Sequence, residues 1–110
     1  MGKMIYLRPI GTVNTVEIDE SDMLHELQRL VGGYIETVPV PDTPDLIGIV
    51  NESGLINGMA INPLASTYLG QPIFGPGVIA RPGFNEDGEP DILCFPDEVS
   101  RLFNEEEMEL

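Results

Sequence analysis

Asp19-Glu20-Ser21-Asp22-Met23-Leu24-His25-Glu26-Leu27-Gln28-Arg29-Leu30-Val31-Gly32-Gly33 is the stretch whose pattern settles the fold class. Met23, Leu24, Leu27, Leu30 and Val31 recur at the spacing of one helix face. Acids crowd the first turn, where the helix dipole favours them, and the paired glycines permit a left-handed stop. The pattern predicts a main helix over about residues 20–31, entered at Asp19.

The flanking sequence changes period. Upstream, residues 3–10 and 12–18 are rich in β-branched and aromatic side chains on either side of Pro9-Ile10-Gly11. They read as a strand ended by Pro9, a turn and a second strand. Downstream, residues 34–40 alternate: Tyr34, Glu36 and Val38 on one side, Ile35, Thr37 and Pro39 on the other. An acidic proline loop runs to Asp45. Residues 46–50 form a short apolar strand, and Asn51-Glu52-Ser53-Gly54 has the residue types of a tight turn from which Leu55 and Ile56 return as partner. After Asn57-Gly58, Asn62-Pro63 predicts a capped short helix near 63–69 with Leu64, Ala65 and Tyr68 inward and Gly70 at its end. Residues 73–81 are extended, with a bulge or edge at Gly75-Pro76-Gly77. A polar loop over 84–91 leads to a last strand at 92–95, and Pro96-Asp97-Glu98 opens a helix near 97–106. Residues 104–110 form an acidic tail expected to fray. The expectation is one small α+β domain over residues 1–110, an antiparallel or mixed sheet with the main helix packed on it.

Nineteen acidic against five basic residues give a formal net charge of −14. A field of that sign repels nucleic-acid backbones and anionic lipid, so direct nucleic-acid binding and membrane binding are disfavoured. Salt adaptation, with Lys3 the sole lysine, is a further source of such acidity. Twelve glycines and ten prolines within a 42% hydrophobic chain indicate short, frequently turned elements, and with no tryptophan the core is aliphatic. Cys94, alone in the run Ile92-Leu93-Cys94-Phe95, can form no internal disulfide and reads as a buried small hydrophobe. No apolar run is long enough to span a bilayer and no secretory signal opens the chain, so a cytoplasmic protein is expected.

A leading strand ending in Pro9, the acidic helix running into Leu30-Val31-Gly32-Gly33-Tyr34-Ile35-Glu36, and Asn51-Glu52-Ser53-Gly54 followed by Gly58, Asn62 and Ala65 together resemble the domain of unknown function 3846. The resemblance covers nearly the whole chain, and Val31 to Glu36 is its specific part. It implies a setting in phages, plasmids and prokaryotes carrying mobile elements, and no single activity.

Catalytic signatures are missing. His25, the sole histidine, lies on the acidic helix near Asp22 and Glu26, where a solvated role is favoured over a general base. Ser21, Ser53, Ser66 and Ser100 sit at caps, turns or helix faces, without a Gly-x-Ser-x-Gly elbow. Gly75-Pro76-Gly77 lacks the Lys-Ser or Lys-Thr of a phosphate loop. Aligning Gly88 with the invariant glycine of a calcium loop puts Cys94 where a bidentate Glu is required, so that pattern fails. No catalytic residue, metal or cofactor is expected.

Binding functions remain. The first is an accessory, non-enzymatic protein of a phage or mobile element, in counter-defence, that sequesters a small nucleotide-type ligand or a host protein. Tyr34 would stack, Glu36, Asn62 and Thr67 would hydrogen-bond, and only Arg8, Arg29, Arg81 and Arg101 could offset ligand charge. The second is an acidic mimic of DNA that occupies the basic groove of a host nucleic-acid-binding enzyme. Its surface would use Glu17, Asp19, Glu20, Asp22 and Glu26, then Glu86, Asp87, Glu89 and Asp91, then residues 105–109. The third is a homo-oligomeric structural or interaction module without a ligand.

Overall fold

A computed structural model describes residues 2–95. The expected helix near 97–106 and the acidic tail at 104–110 lie outside the described residues.

The first hairpin joins β1 (Gly2–Leu7) to β2 (Val13–Ile18), with Leu7 opposite Val13 and Gly2 opposite Ile18. The expected strand over 3–10 stops at Leu7, because residues 8–12 are spent on the turn. Arg8 N–H donates to Thr12 O at 3.0 Å and Gly11 N–H to Arg8 O at 2.9 Å. The main helix also starts later than expected. Asp19 Oδ1 accepts from Ser21 N–H at 3.1 Å, and Asp22 N–H reaches back to Asp19 O at 2.9 Å. This three-residue reach tightens residues Glu20–Asp22 into a 3-10 turn, after which α1 (Met23–Val31) begins. Gly32 then takes a φ of 81°, and the N–H groups of Gly32 and Gly33 both return to Gln28 O.

β3 (Ile35–Pro39) and β4 (Ile47–Asn51) pair antiparallel, Ile35 facing Asn51. The expected return of Leu55-Ile56 against β4 does not occur. Both edges of β4 are taken, by β3 and by β5 (Gly77–Phe84), and Leu55 and Ile56 lie exposed in turns. α2 (Pro63–Leu69) forms where its cap predicts, with Gly70 at φ 69° ending it. Its inward face differs: Ala65 and Leu69 are buried, Leu64 is partly so and Tyr68 is exposed. Those two positions, four residues apart, meet the sheet: a Cβ on Gly48 of β4 would lie 2.5 Å from Leu69 Cδ2, and one on Gly77 of β5 3.3 Å from Ala65 Cβ.

Gly75-Pro76 is a corner that delivers the chain into β5, not a bulge within it; Gly75 has a φ of 92° and pairing starts at Gly77. β5 and β6 (Pro90–Leu93) make the last hairpin, Phe84 opposite Pro90, so the polar loop is shorter than expected. Asn85 Oδ1 organises its tip by accepting from Asp87 N–H and Glu89 N–H at 2.9 and 3.0 Å.

Strand order is β2-β1-β5-β4-β3 and every pair is antiparallel, which selects the antiparallel alternative. β6 enters where β1 and β5 part. Ile5 pairs with Ile79, but two residues on Arg81 pairs with Leu93 and Lys3 bridges to Phe95. The sheet separates two cores. Met4, Ile18, Ile49, Val78, Ala80 and Cys94 pack against Leu27, Leu30 and Val31 of α1. Ile5, Leu7, Val38, Val50, Ile79 and Phe95 pack with Ala65 and Leu69 of α2. The result is a sheet-dominated α+β fold in which alternate residues of each central strand serve opposite layers. Among the described residues no helix is long and apolar enough to cross a membrane.

Candidate functional site

α1 does not cover the whole of its side of the sheet. Between its last turn and the β1–β2 hairpin lies an open depression of about 540 Å³, lined by Tyr6, Arg8, Asn14, Val16, Glu17, Arg29 and Leu30. Strand alternation puts Tyr6 and Arg8 on the α1 side, and the hairpin register sets Asn14 opposite Tyr6. Tyr6 is fixed by its hydroxyl, which donates to Leu30 O at 2.9 Å, and the Arg8 guanidinium lies 5.6 Å from the Tyr6 ring centroid. Arg29 comes from the opposite wall, its Nη2 3.5 Å from Glu26 Oε2. Two of the five basic residues of the chain, 21 positions apart, thus share one concavity with an amide and an apolar floor of Val16 and Leu30.

The end of a helix is unfavourable ground for an anion, because its last carbonyls point outward. Here three of those carbonyls are engaged: Gln28 O by two backbone N–H groups, Leu30 O by Tyr6, and Val31 O by Asn51 Nδ2 at 3.1 Å. The carboxylates are also placed elsewhere. Glu17 sits opposite Lys3, whose neighbours of equal parity, Ile5 and Leu7, serve the α2-side core, so Glu17 contributes only the rim. A Cβ on Gly2 would lie 3.0 Å from Glu20 Oε1 and 2.4 Å from Cys94 Cβ, which places Glu20 beside the root of the β5–β6 hairpin. Glu17, Asp19 and Glu20 therefore gather at the Gly2 end of β1, and Asp22 follows in the same turn. Arg8 is six residues along that strand, roughly 20 Å away, beyond the ~8 Å over which salt leaves surface charges coupled.

The residues expected to bind a ligand do not converge. Tyr34 is exposed just before β3 and lines neither this depression nor the cleft described next. Glu36 lines a separate cleft of about 260 Å³ with Val38, Glu52, Leu55, Gln71 and Phe74. Asn62 has no exposed surface: its Oδ1 accepts from Ala65 N–H at 3.0 Å and its Nδ2 donates to Leu7 O and Gly75 O at 2.9 and 3.0 Å. Thr67 Oγ1 donates to Pro63 O within its own helix. Sequence reasoning named Arg8 and Arg29 only as scarce cations. The signal that joins them is the rarity of positive charge together with Tyr6 and Arg8 being two apart on one strand face.

The acidic residues expected to form a mimic surface fall in two described groups, Glu17 to Glu26 and the Glu86, Asp87, Glu89 and Asp91 hairpin. Glu26 is in part neutralised by Arg29. Asp19 is held below the usual carboxylate range by hydrogen bonds from the Ser21 hydroxyl and backbone N–H. His25 Nδ1 lies 2.9 Å from Asp22 Oδ1 on the open surface. Cys94 is buried, and desolvation, then the Glu20 carboxylate, pushes its thiol up. No group of three or more metal-ligating side chains occurs among the described residues.

Comparison with solved structures finds the fold in a crystal structure of the small RNA methyltransferase HEN1, at a TM-score of 0.61 and 17% identity. The match covers 84% of this chain and 14% of that one, and at this identity the likeness is one of fold. No curated protein matches the chain. The model of the domain of unknown function (DUF3846) matches residues 2–106, and by that match, with its Gly32-Gly33 stop and Asn51 tie in place, the chain belongs to the DUF3846 family.

Proposed function

We propose that this protein is a non-enzymatic accessory protein of a phage or mobile element that sequesters a small nucleotide-type ligand, held in the Arg8–Arg29 depression. The observation that carries this is the convergence of two guanidinium groups on one concavity of a chain with net charge −14. Guanidinium forks match phosphate oxygens, Asn14 offers a paired donor and acceptor for a base edge, and Val16 and Leu30 supply an apolar floor. The site moves from Tyr34, Asn62 and Thr67 to this face because the polar groups of Asn62 and Thr67 are satisfied internally. The phage setting and the counter-defence role rest on the family resemblance and the charge.

The test is calorimetric titration at low salt with cyclic, mono- and triphosphate nucleotides of all four bases. One nucleotide class binds the wild type, Arg8→Ala/Arg29→Ala loses it, and Tyr34→Ala retains it. Absence of binding at millimolar ligand, or binding that survives the double substitution, refutes the proposal.

A second reading, the acidic DNA mimic, draws support from Glu17, Asp19 and Glu20 sharing one end of the sheet with the root of the β5–β6 hairpin. It requires capture of a basic host enzyme that collapses steeply between 50 and 200 mM salt, about the range over which phosphate-type contacts lose their counterion-release gain.

A further inference from the structure

Resting on the nucleotide reading, we infer that the depression selects a ligand group with a single negative charge, of the phosphodiester kind, over phosphate monoesters and polyphosphates. The charge count around the site carries this. Arg8 contributes one positive charge; its guanidinium lies over Tyr6, which leaves the N–H edges to a ligand. Arg29 contributes a second, but Glu26 sits 3.5 Å from it, one helical turn back. The Glu26 side chain is 22% exposed and that of Arg29 65%, so the pair is anchored at the carboxylate and the guanidinium reaches outward from it.

Glu17 shares the α2 face of the hairpin with Lys3, its cross-strand neighbour, so it touches only the rim of the α1-side depression and does not enter its charge balance. The described charges at the site therefore sum to one positive. A ligand group with one negative charge balances that sum. Each further charge finds no cation among the described residues, because Arg81 Nε donates to Cys94 O at 2.8 Å at the far end of the sheet and Lys3 is on the other face. It meets instead the field of the −14 chain. Excess ligand charge thus acts as a repulsive element that sets specificity.

The experiment compares the nucleoside, its 3′,5′-cyclic monophosphate, its 5′-monophosphate and its 5′-triphosphate by calorimetry at pH 7.5 and constant ionic strength. The adenine, guanine, cytosine and uracil series are run in parallel. In the series that binds, the cyclic nucleotide is at least about tenfold tighter than either the nucleoside or the triphosphate. Glu26→Gln raises the site by one charge, and the 5′-monophosphate then gains on the cyclic nucleotide by about fivefold. Arg29→Gln leaves Arg8 and Glu26 in balance and brings the cyclic nucleotide down to the level of the nucleoside. An affinity order that rises with ligand charge, or a Glu26→Gln ratio equal to that of the wild type, overturns the inference while leaving nucleotide binding intact. Failure of all four series to bind the wild type overturns the nucleotide reading itself.

Discussion

The two faces of the sheet spend their polar side chains in opposite ways. On the α2 face Asn62 is wholly enclosed, caps its helix through Oδ1 and ties Leu7 O and Gly75 O together through Nδ2. Its backbone is equally committed, with N–H on Ile73 O and O accepting from Ser66 N–H. On the α1 face Tyr6 is also tied, but Arg8 and Arg29 stand at an open surface with donors to spare. The lesson is that polarity alone does not mark a site. A buried amide whose capacity is used holds the fold together, whereas a cation at an uncovered edge of the sheet is available to a ligand.

Asn51 refines the contrast, because it shows the α1 face has its own structural amide. Its Nδ2 donates to Val31 O and its Oδ1 accepts from Ser53 N–H at 2.7 Å, which joins the end of α1 to the end of β4. A Cβ at Gly33 would lie 2.9 Å from that Nδ2, so glycine follows the helix stop for reasons of space. Among the residues that carry the family resemblance, Gly32-Gly33, Asn51, Asn62 and Ala65 are joints of the fold, whereas Tyr34, Glu36, Glu52 and Gly58 are exposed.

The comparison breaks most readily at Asn62. Asn62→Ala removes a helix cap and strands two buried carbonyls, with an expected loss of about 3 kcal/mol or more. Asn51→Ala forfeits one buried bond and one turn bond, about 2 kcal/mol. Urea unfolding ranks the two, and a smaller loss at Asn62 than at Asn51 contradicts the account of the α2 face.

Cys94, at the split between β1 and β5, gives an intermediate effect that depends on pH. The folded thiol keeps its proton to higher pH than the unfolded one, so its contribution is complete below the unfolded pKa and is lost as pH rises through the folded value. Stability should decline on the alkaline side of the ordinary thiol pKa of about 8.5, and less so in Cys94→Ala. In the same range the native thiol should react with iodoacetamide far more slowly than the unfolded chain. Alkylation at equal rates in the two states contradicts its burial.

The smallest effect belongs to the candidate site. Arg8→Ala and Arg29→Ala should each change unfolding free energy by about 0.5 kcal/mol or less, since each loses one exposed contact. A loss comparable with that of Asn62→Ala would make the arginines structural and erase the distinction between the faces.

Much of the local structure is legible in the chain. The apolar spacing of residues 23–31, the glycine stop at Gly32, the Asn62-Pro63 start of α2 and the alternation in β3 are short-range signals that appear in place, except that Leu24, expected on the inner face of α1, is exposed. The 3-10 entry at Glu20–Asp22 escaped because Asp19 can cap either a tight or a regular first turn, and only backbone closure distinguishes them. The return of Leu55-Ile56 was misplaced because turn chemistry at Asn51-Gly54 says that the chain bends, not which strand waits beside β4. For the site, composition alone identified the scarce cations, and nothing local could say that Arg8 and Arg29 meet.

By itself, then, the sequence determined the periods, caps and stops that make each element, because these depend on contacts within a few residues. Tertiary structure decided that β6 enters between β1 and β5, that Asn62 is enclosed while Arg8 and Arg29 remain open, and that Glu17, Asp19 and Glu20 gather at the Gly2 end of β1 while Arg8 follows its other end. Those outcomes depend on strand pairing across as many as 92 positions, from Lys3 to Phe95, and on the coverage of a sheet by a nine-residue helix. Both are settled by competition among distant surfaces for burial, and no local pattern records the result.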